Sequence, residues 1–354
     1  MTPFMWLVTE PAKRKHVLQL TKQAFNVPET VPHVPVDNPV SLDRSNIALL
    51  RQQDYMVAFK ADGIRYLLVL TMYKNRPLAA FVNRAGQVYS LYVTAHASHF
   101  QHGSVFDGEL CSCNTGNNAQ DFLVFNALVD QGTALHDQSY HTRLQHIRDN
   151  FSAQPLSTKE RERNILYICP MALTLNFVYK EYDFAYNMRA MHHNITPRYK
   201  TDGFVFTPIH APVISGRNDQ LLKWKNDNPI DVQLRVTETG MDLLVDNDGT
   251  QILLQSVVAQ PVHMDNTNNV YFNDIIAGYN IFHQLFKTGP CVFDSVIEVD
   301  CRFQPQHALQ LRFVRLRPDK DGPNNVGTVL RTLQTIQDNI QQEEIYDFVL
   351  RNIM

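Results

Sequence analysis

The sequence predicts an α+β protein of two domains whose sheets are mostly antiparallel. Its 354 residues are about twice the length of an ordinary domain. Short apolar runs, rich in β-branched and aromatic residues and ended by Gly, Pro or Asn turns, begin at Tyr55 and continue to Leu316. At Asn228-Pro229 these runs change to a tightly turned meander, which indicates a new domain. We therefore assign residues 1–228 to the first domain and residues 229–354 to the second.

The first domain begins with a helix and a proline-rich connector. Apolar residues recur at helical spacing from Val17 to Phe25, and prolines between residues 28 and 39 then hold an extended backbone because proline locks φ. Apolar runs bounded by turn residues predict the strands, and His141–Asn150 is expected to form a second helix. The predicted strands are Tyr55–Lys60, Tyr66–Tyr73, Leu78–Asn83, Val105–Leu110, Phe122–Val129, Phe204–Thr207 and Leu221–Lys225.

The second domain is predicted to be a small barrel that ends in a helix. Its first three strands are joined by tight turns, as a small barrel requires. Apolar residues from Val329 to Ile340 recur at helical spacing, so the chain is expected to end in one amphipathic helix, which belongs to this domain or packs back on the first. The predicted strands are Ile230–Thr237, Met241–Asp246, Gln251–Gln255, Val292–Val299 and Leu309–Leu316.

Composition excludes several classes of protein. The apolar fraction of 44% and the charged fraction of 19% are ordinary for a folded chain, which excludes a disordered protein. No apolar run approaches the ~18–20 residues that cross a bilayer, and no signal peptide is visible. Five cysteines, an odd number, argue against a disulfide framework, so we expect an intracellular protein without a membrane partner. The net charge of −3 means that any polyanion must be met by a local cluster of cations.

The most informative segment is Lys60-Ala61-Asp62-Gly63-Ile64-Arg65, which lies where one apolar strand ends and the next begins. Alone, such a K-x-D-G pattern is more often a solvated lysine after a strand. Here five further motifs follow it in order, and this ordered set makes the pattern specific. They are Asp107-Gly108-Glu109-Leu110, Phe125 in an apolar strand, Thr201-Asp202-Gly203-Phe204, Leu222-Lys223-Trp224-Lys225, and Arg317-Pro318-Asp319-Lys320 with Asn324 beyond it.

These residue types suit transfer of a phosphorylated group through a lysine. A lysine is a nucleophile only when neutral, and neighbouring cations and partial burial lower its pKa from about 10.4. Arg65, Lys223 and Lys225 would supply such cations if they converge on Lys60, and the same cations match a triphosphate.

Two carboxylates and an aromatic ring complete the candidate set. Glu109 and Asp202 stand at predicted strand ends, where they could support Mg²⁺ or hold a ribose hydroxyl, although each alone is a common turn residue. Phe125 would offer a face to a base, although alone it would be an ordinary core phenylalanine.

The ordered motifs resemble those of the covalent nucleotidyltransferase superfamily, which contains mRNA capping guanylyltransferases and polynucleotide ligases. The resemblance extends from Lys60 to Asn325. It implies a nucleotidyltransferase domain with ATP-grasp-like antiparallel sheets, followed by a C-terminal OB-fold domain. It also implies that Lys60 forms a covalent lysyl-N–nucleoside-monophosphate adduct, that Glu109 binds the ribose, that Phe125 stacks on the base, and that Asp202 serves the metal-dependent step.

The same resemblance implies phosphate-binding roles for the basic residues. Arg65 and Arg84 would contact the sugar and phosphates, and Lys223 and Lys225 would hold the α-phosphate. The residues implied to orient the pyrophosphate from a mobile barrel domain are Arg317, Asp319 and Lys320.

Within the superfamily, the Lys-Trp-Lys sequence at 223–225 and the spacing from Asp107 to Phe125 are more similar to a guanylyltransferase than to a ligase. The size is similar to that of compact single-activity capping enzymes of large DNA viruses. Two positions depart from the family pattern: Asn126 stands where Asp is usual, and Asn226 stands where many relatives have Pro. An ATP-dependent DNA or RNA ligase and a non-catalytic OB-fold RNA-binding protein are the alternatives.

The resemblance implies substrates and partners as well. The substrates would be GTP and the diphosphate 5′ end of RNA, with Mg²⁺ or Mn²⁺ as the divalent cation. A separate RNA triphosphatase, cap methyltransferase or RNA polymerase could act with the chain, which we expect to be a monomer. A cellular enzyme would be nuclear, whereas a viral one would act in the nucleus or in a cytoplasmic factory.

Overall fold

The computed structural model describes residues 5–31, 34, 36–114, 119–151, 166–167, 175–237, 240–258, 261–264, 270–272, 295–303, 309–317 and 320–350. The chain divides into two compact units. The first unit comprises Met1–Leu42, Ile47–Lys225 and Glu343–Met354. The second comprises Asp43–Asn46 and Asn226–Gln342.

Strands dominate both units, and most of their pairings are antiparallel, so the predicted α+β class is confirmed. In chain order the strands are β1 (Trp6–Leu7), β2 (Asp37–Ser41), β3 (Tyr55–Ala61), β4 (Ile64–Tyr73), β5 (Arg76–Val82), β6 (Val88–Leu91), β7 (Val93–Thr94), β8 (Ser104–Ser112), β9 (Gln120–Asp130), β10 (Thr133–Ala134), β11 (Leu166–Tyr167), β12 (Leu175–Tyr179), β13 (Asp183–Phe184), β14 (Thr201–Pro208), β15 (Gly216–Lys225), β16 (Ile230–Thr237), β17 (Gly240–Asn247), β18 (Thr250–Val258), β19 (Pro261–Met264), β20 (Val270–Phe272), β21 (Val296–Phe303) and β22 (Leu309–Leu316).

Helices are fewer and mostly short. In chain order they are α1 (Pro11–Ala24), α2 (Leu49–Gln52), α3 (Ala97–Gln101), α4 (Tyr140–Asn150), α5 (Met188–Asn194), α6 (Val326–Asp338) and α7 (Gln342–Leu350), with a 3₁₀ turn over Ala185–Asn187. None of these described helices is long and apolar enough to cross a bilayer.

The larger sheet of the first unit has the order β1-β6-β5-β4-β8-β9-β10, and β12 pairs in parallel with β9. Successive residues of a strand point to opposite faces. Leu67 and Val69 of β4 therefore pack with Val17 of α1, whereas Leu68 of the same strand packs with Leu144 of α4 on the other face. A helix thus packs on each face, so the sheet forms the centre of two hydrophobic clusters.

The second sheet of the first unit has the order β13-β3-β14-β15-β2. Strand β3 pairs with β14, and β14 pairs with β15, both antiparallel, so the ends of three motif-bearing strands come together. Strand β2 adds to β15 in parallel. The proline-rich connector therefore ends as an edge strand, a position that tolerates proline's missing donor.

The second unit is built on a sheet with the order β18-β17-β16-β21-β22, all antiparallel. Placing the fourth strand beside the first of a three-stranded meander is the Greek-key order, and a five-stranded Greek-key sheet of this kind is the basis of an OB-fold. Its core contains Val232, Leu243, Ile297 and Leu311, with Val329 of α6 against them. Predicted residues 292–294 lie outside the described part of the chain.

The end of the chain forms two helices, so the prediction of one terminal helix is wrong. Helix α6 ends at Asp338, and the residue that caps it, Asn339, has a left-handed φ of 45°, a conformation that Asn adopts more readily than most residues. Helix α7 then belongs to the first unit, where Ile345 and Tyr346 are buried and the Tyr346 hydroxyl lies 2.7 Å from Nδ1 of His192.

Candidate active site

Lys60 and Asp202 meet where β3 and β14 pair. Lys60 stands opposite Gly203, and Ala61 stands opposite Thr201, so Asp202 is an extra residue on β14. Such a β-bulge changes the direction of a side chain, which no longer follows the alternation between the two faces of the sheet. The Asp202 carboxylate consequently lies 2.8 Å and 3.1 Å, through its two oxygens, from Nζ of Lys60.

Gly203 allows this bulge to form. Its φ of 150° is one that side chains rarely adopt, and a Cβ there would lie 2.0 Å from the carbonyl oxygen of Trp224 on β15. The glycine in the Asp-Gly motif is therefore required by a close backbone approach, in addition to any turn preference.

The two lysines of β15 lie on the same side of the site. Nζ of Lys225 is 2.8 Å from Oδ2 of Asp202, so this carboxylate bridges two lysines. Lys223, two residues earlier on the strand, is half-buried. Burial, followed by the charges of Lys225, Lys60 and Arg84, lowers the pKa of Lys223 to about 8. The predicted convergence of Lys223 and Lys225 near Lys60 is thus present in the structure.

Arg65 is held by a different carboxylate. Its Nε and Nη2 donate to the two oxygens of Asp107 at 2.9 and 2.5 Å, and its Nη1 donates to the Asp37 backbone oxygen at 2.5 Å. We expected Arg65 to be one of the cations around Lys60. Its described hydrogen bonds are instead to Asp107 and Asp37. Asp107 is fully buried, so the pair fixes the guanidinium rigidly.

Glu109 and Arg84 lie close to that arginine. Glu109 stands opposite Arg65 in the β4–β8 ladder, and its Oε1 accepts from the Gly63 backbone N–H at 3.2 Å. Arg84, in the turn after β5, donates to Oδ1 of Asn38 on β2. Burial, followed by the charge of Arg65, lowers the pKa of Arg84.

Phe125 is a bulge residue as well. Asp107 pairs with Asn126 and Gly108 pairs with Val124, so β8 has no residue opposite Phe125. The half-buried Phe125 ring lies near two cations, with the Arg65 guanidinium 5.3 Å and the Lys180 ammonium 5.6 Å from its centroid.

Lys180 is a site residue that the sequence analysis missed. Only 5% of it is exposed, and burial lowers its pKa to about 8 although Glu109 acts in the opposite direction. Lys180 directly follows the apolar strand β12, just as Lys60 stands near the end of β3. A lysine at the end of an apolar strand was the signal that could have identified Lys180. That signal points to the site only when the parallel pairing of β12 with β9 is known.

Arg317 and Lys320 belong to the second unit. Nη1 of Arg317 is 2.7 Å from Oδ1 of Asp231 and 3.2 Å from Oε2 of Glu298, and Nζ of Lys320 is 3.6 Å from Oδ2 of Asp231. Asp319 lies outside the described residues.

The carboxylates of the first unit suit a cation that is completed by substrate. Among the described residues, no group of three or more His, Cys, Asp or Glu side chains is placed to hold a metal ion. Mg²⁺ is commonly bound by one or two carboxylates together with substrate phosphates. Asp202 fits that mode because the lysines around it would hold the phosphates.

One sheet of the first unit brings the motif lysines on β3 and β15 together, and a Greek-key unit follows. This arrangement defines the protein as a nucleotidyltransferase. Family models narrow this class. The model described as mRNA capping enzyme, catalytic domain, matches residues 8–227, and the model described as mRNA capping enzyme, C-terminal domain, matches residues 227–346. The chain belongs to the mRNA capping enzyme family, so the resemblance seen in the motifs is confirmed.

Curated relatives carry the same family name. The chain is 25% identical over 347 residues to the mRNA-capping enzyme subunit alpha of Schizosaccharomyces pombe, covering 92% of this chain and 82% of the relative. It is 24% identical over 339 residues to the mRNA-capping enzyme of Mus musculus, covering 90% of this chain and 50% of the relative.

Among solved structures, distant matches are DNA ligases. The ATP-dependent DNA ligase from bacteriophage T7 in complex with ATP has a TM-score of 0.37 and 12% identity, covering 80% of this chain and 98% of that chain. A mycobacterial DNA ligase D complexed with ATP and MES has a TM-score of 0.37 and 14% identity, covering 80% of this chain and 94% of that chain.

Proposed function

We propose that the protein is an mRNA 5′ capping guanylyltransferase, which transfers GMP from GTP to the diphosphate 5′ end of RNA. The observation that carries this proposal is the position of Lys60 in a family-matched catalytic domain, where Asp202 contacts both Lys60 and Lys225. In the first step the neutral Lys60 amine attacks the α-phosphorus of GTP. A P–N bond forms, the bond between the α-phosphorus and the oxygen that bridges to the β-phosphate breaks, pyrophosphate leaves, and the lysine nitrogen releases one proton to solvent.

In the second step a terminal phosphate oxygen of the RNA attacks the same phosphorus. The P–N bond breaks, the Lys60 amine takes up a proton, and GMP becomes joined to the RNA. Lys223 and Lys225 would hold the α-phosphate in both steps, since paired cations stabilise the negative charge that is redistributed during transfer. The half-buried position of Lys223 strengthens that interaction because its charge is partly shielded from water.

The nucleotide would lie against Phe125, with Glu109, Arg65 and Arg84 near the sugar and phosphates. Lys180 supports GTP over ATP. An ammonium only donates hydrogen bonds, and guanine offers the O6 and N7 acceptors, whereas adenine places an amino donor where guanine has O6. A protonated Lys180 next to the Phe125 ring would therefore favour guanine.

A divalent cation, Mg²⁺ or Mn²⁺, would be held by Asp202 with Glu109 as the second candidate. When bound it would neutralise part of the phosphate charge. Arg317, Asp319 and Lys320 of the second unit would orient the departing pyrophosphate. For Arg317 this requires release from Asp231 and Glu298, the carboxylates that it now contacts.

The remaining assignments follow from this activity. We expect a monomer that acts on RNA made by an RNA polymerase, with a triphosphatase and a cap methyltransferase provided by other proteins. A nuclear location is proposed for a cellular enzyme, and the nucleus or a cytoplasmic factory for a viral one.

The test is incubation with Mg²⁺ and α-³²P-GTP or α-³²P-ATP, followed by a denaturing gel. We expect label from GTP that survives denaturation in the wild type and in Lys74→Ala, a surface control, but not in Lys60→Ala. Label from ATP alone would identify a ligase. A folded wild type that takes label from neither nucleotide would contradict the enzyme proposal and favour an RNA-binding protein.

A further inference from the structure

The bulge that presents Phe125 is attached to helix α4. Because β8 has no residue opposite Phe125, the backbone at this position is not part of the regular ladder. The backbone oxygen of Phe125 instead accepts a hydrogen bond from the Tyr140 hydroxyl at 2.9 Å. Tyr140 is the first residue of α4 and is only 2% exposed.

A second side chain of α4 holds the next residue. Nε of Arg143 donates to Oδ1 of Asn126 at 2.8 Å, and Nη1 of Arg143 donates to the backbone oxygens of Ala211, at 3.1 Å, and of Gln138. Burial lowers the pKa of Arg143 to about 10, which leaves it charged at neutral pH. Asn126, which stands where the family usually has Asp, therefore contacts α4 through Arg143.

The bulge changes which side chains face the core. Val124 and Ala127 are three residues apart, yet both pack in the cluster formed with α4. In an unbroken strand, residues three apart point to opposite faces. The extra residue restores Ala127 to the α4 side and leaves Phe125 free to turn towards Arg65 and Lys180.

We infer that Tyr140 and Arg143 are positioning residues for nucleotide binding, acting through the bulge that presents Phe125. The inference rests on the proposed function, in which Phe125 receives the base. Neither residue belongs to any of the ordered motifs. A ring can stack on a base only in a narrow range of orientations, and the backbone of the bulge sets the orientation of this ring.

Loss of the Tyr140 hydroxyl removes the donor to the Phe125 carbonyl and releases the bulge. Stacking on the base is made equally in the ground state and in the transition state of phosphoryl transfer. The expected result is weaker nucleotide binding with an unchanged rate of chemistry, which appears as a higher KM and an unaltered kcat.

The first variant is Tyr140→Phe, and Tyr55→Phe is its matched control. Tyr55 is also 2% exposed, and its hydroxyl donates to a backbone oxygen, that of Gln220, at 2.8 Å. We expect the Kd for mant-GTP, measured by fluorescence titration, to rise roughly five- to tenfold in Tyr140→Phe and less than about twofold in Tyr55→Phe. Both variants should lose similar thermal stability.

A second pair tests Arg143 through its acceptor. Asn126→Asp keeps an oxygen for Arg143, whereas Asn126→Leu has a similar size and no acceptor. The Kd should stay within about twofold of wild type for Asn126→Asp and rise roughly five- to tenfold for Asn126→Leu. If Tyr140→Phe fails to fold, this pair of variants still tests the inference.

A double mutant shows whether the effect passes through the ring. Adding Tyr140→Phe to Phe125→Leu should cause no further loss of affinity, because the ring is already gone. Additive losses, or equal losses in Tyr140→Phe and Tyr55→Phe, would overturn the inference. Binding of mant-ATP alone, with the same pattern among variants, would overturn guanylyl transfer but keep the positioning role. A wild type that binds neither nucleotide would overturn both.

Discussion

The ammonium of Lys60 and the carboxylate of Asp202 form an ion pair in which Nζ lies 2.8 Å from Oδ1 and 3.1 Å from Oδ2. Nζ of Lys225 lies 2.8 Å from the second of those oxygens. Since only a neutral amine attacks phosphorus, the Lys60 ammonium must lose a proton before any adduct forms. Asp202 therefore contacts both the proposed nucleophile and a lysine proposed to bind phosphate.

The Asp202→Asn variant should slow formation of the lysyl adduct by about 100-fold, because it removes the charge that the two lysines share and the candidate metal ligand. The measurement is the initial rate of labelling from α-³²P-GTP across a range of Mg²⁺ concentrations. Asp219→Asn is the control, since Asp219 is 73% exposed and forms an ion pair with Arg217 at the surface. A wild-type rate in Asp202→Asn would show that this carboxylate is not required.

The Arg65→Lys variant should lower the free energy of unfolding by about 2 kcal/mol, because lysine cannot make both hydrogen bonds to the fully buried Asp107. Chemical denaturation measures the effect. Arg217→Lys is the matched control, because the Arg217–Asp219 pair is exposed and should contribute little. Equal effects in the two variants would mean that burial of Asp107 does not determine the cost.

Lys180 predicts a pH dependence of stability. Its pKa of about 8 in the folded protein lies below the value of about 10.4 for a free lysine, so the unfolded chain binds the proton more tightly between these values. The burial cost is full below pH 8 and declines as the pH rises. The stability of wild type relative to Lys180→Met should therefore increase from pH 7.5 to 9.0, by up to about 1 kcal/mol per pH unit.

Urea denaturation of the two proteins at both pH values measures this difference. Lys200→Met, at a lysine that is 77% exposed, is the control and should show no such increase relative to wild type. A relative stability of Lys180→Met that is the same at both pH values would disprove the predicted linkage.

The Gly203→Ala variant should destabilise the protein by about 3 kcal/mol or more, because the new Cβ would meet the Trp224 carbonyl and the φ of 150° disfavours a side chain. Gly322→Ala is the control, since no atom lies within 4 Å of a Cβ built there. The thermal unfolding midpoints of both variants give the comparison. A midpoint equal to that of wild type for Gly203→Ala would show that β15 can move away without cost.

Local patterns in the sequence were sufficient to predict most of the strands. The apolar run from Tyr66 to Tyr73 became β4, and the meander after Pro229 became β16 to β18, because apolar runs and turn residues act over a few positions. The order of the motifs from Lys60 to Lys320 was sufficient to indicate the family. These properties depend on neighbours along the chain, so they can be read without coordinates.

The terminal helices show where that approach fails. Apolar spacing continues from Val329 to Ile340, yet the helix ends at Asp338 and a new one begins at Gln342. The second helix packs in the first unit, and its burial there stabilises an interruption that helical periodicity does not reveal.

The site itself depends on strand register. Asp202 and Phe125 reach their positions because each is the extra residue of a bulge, and a one-residue shift in pairing turns side chains to the opposite face. Lys180 enters the site only because β12 pairs with β9. The sequence alone determined the residue types and the order of the motifs. Which group pairs with each charged side chain depends on contacts between segments that are far apart in sequence, and only the tertiary structure shows these contacts.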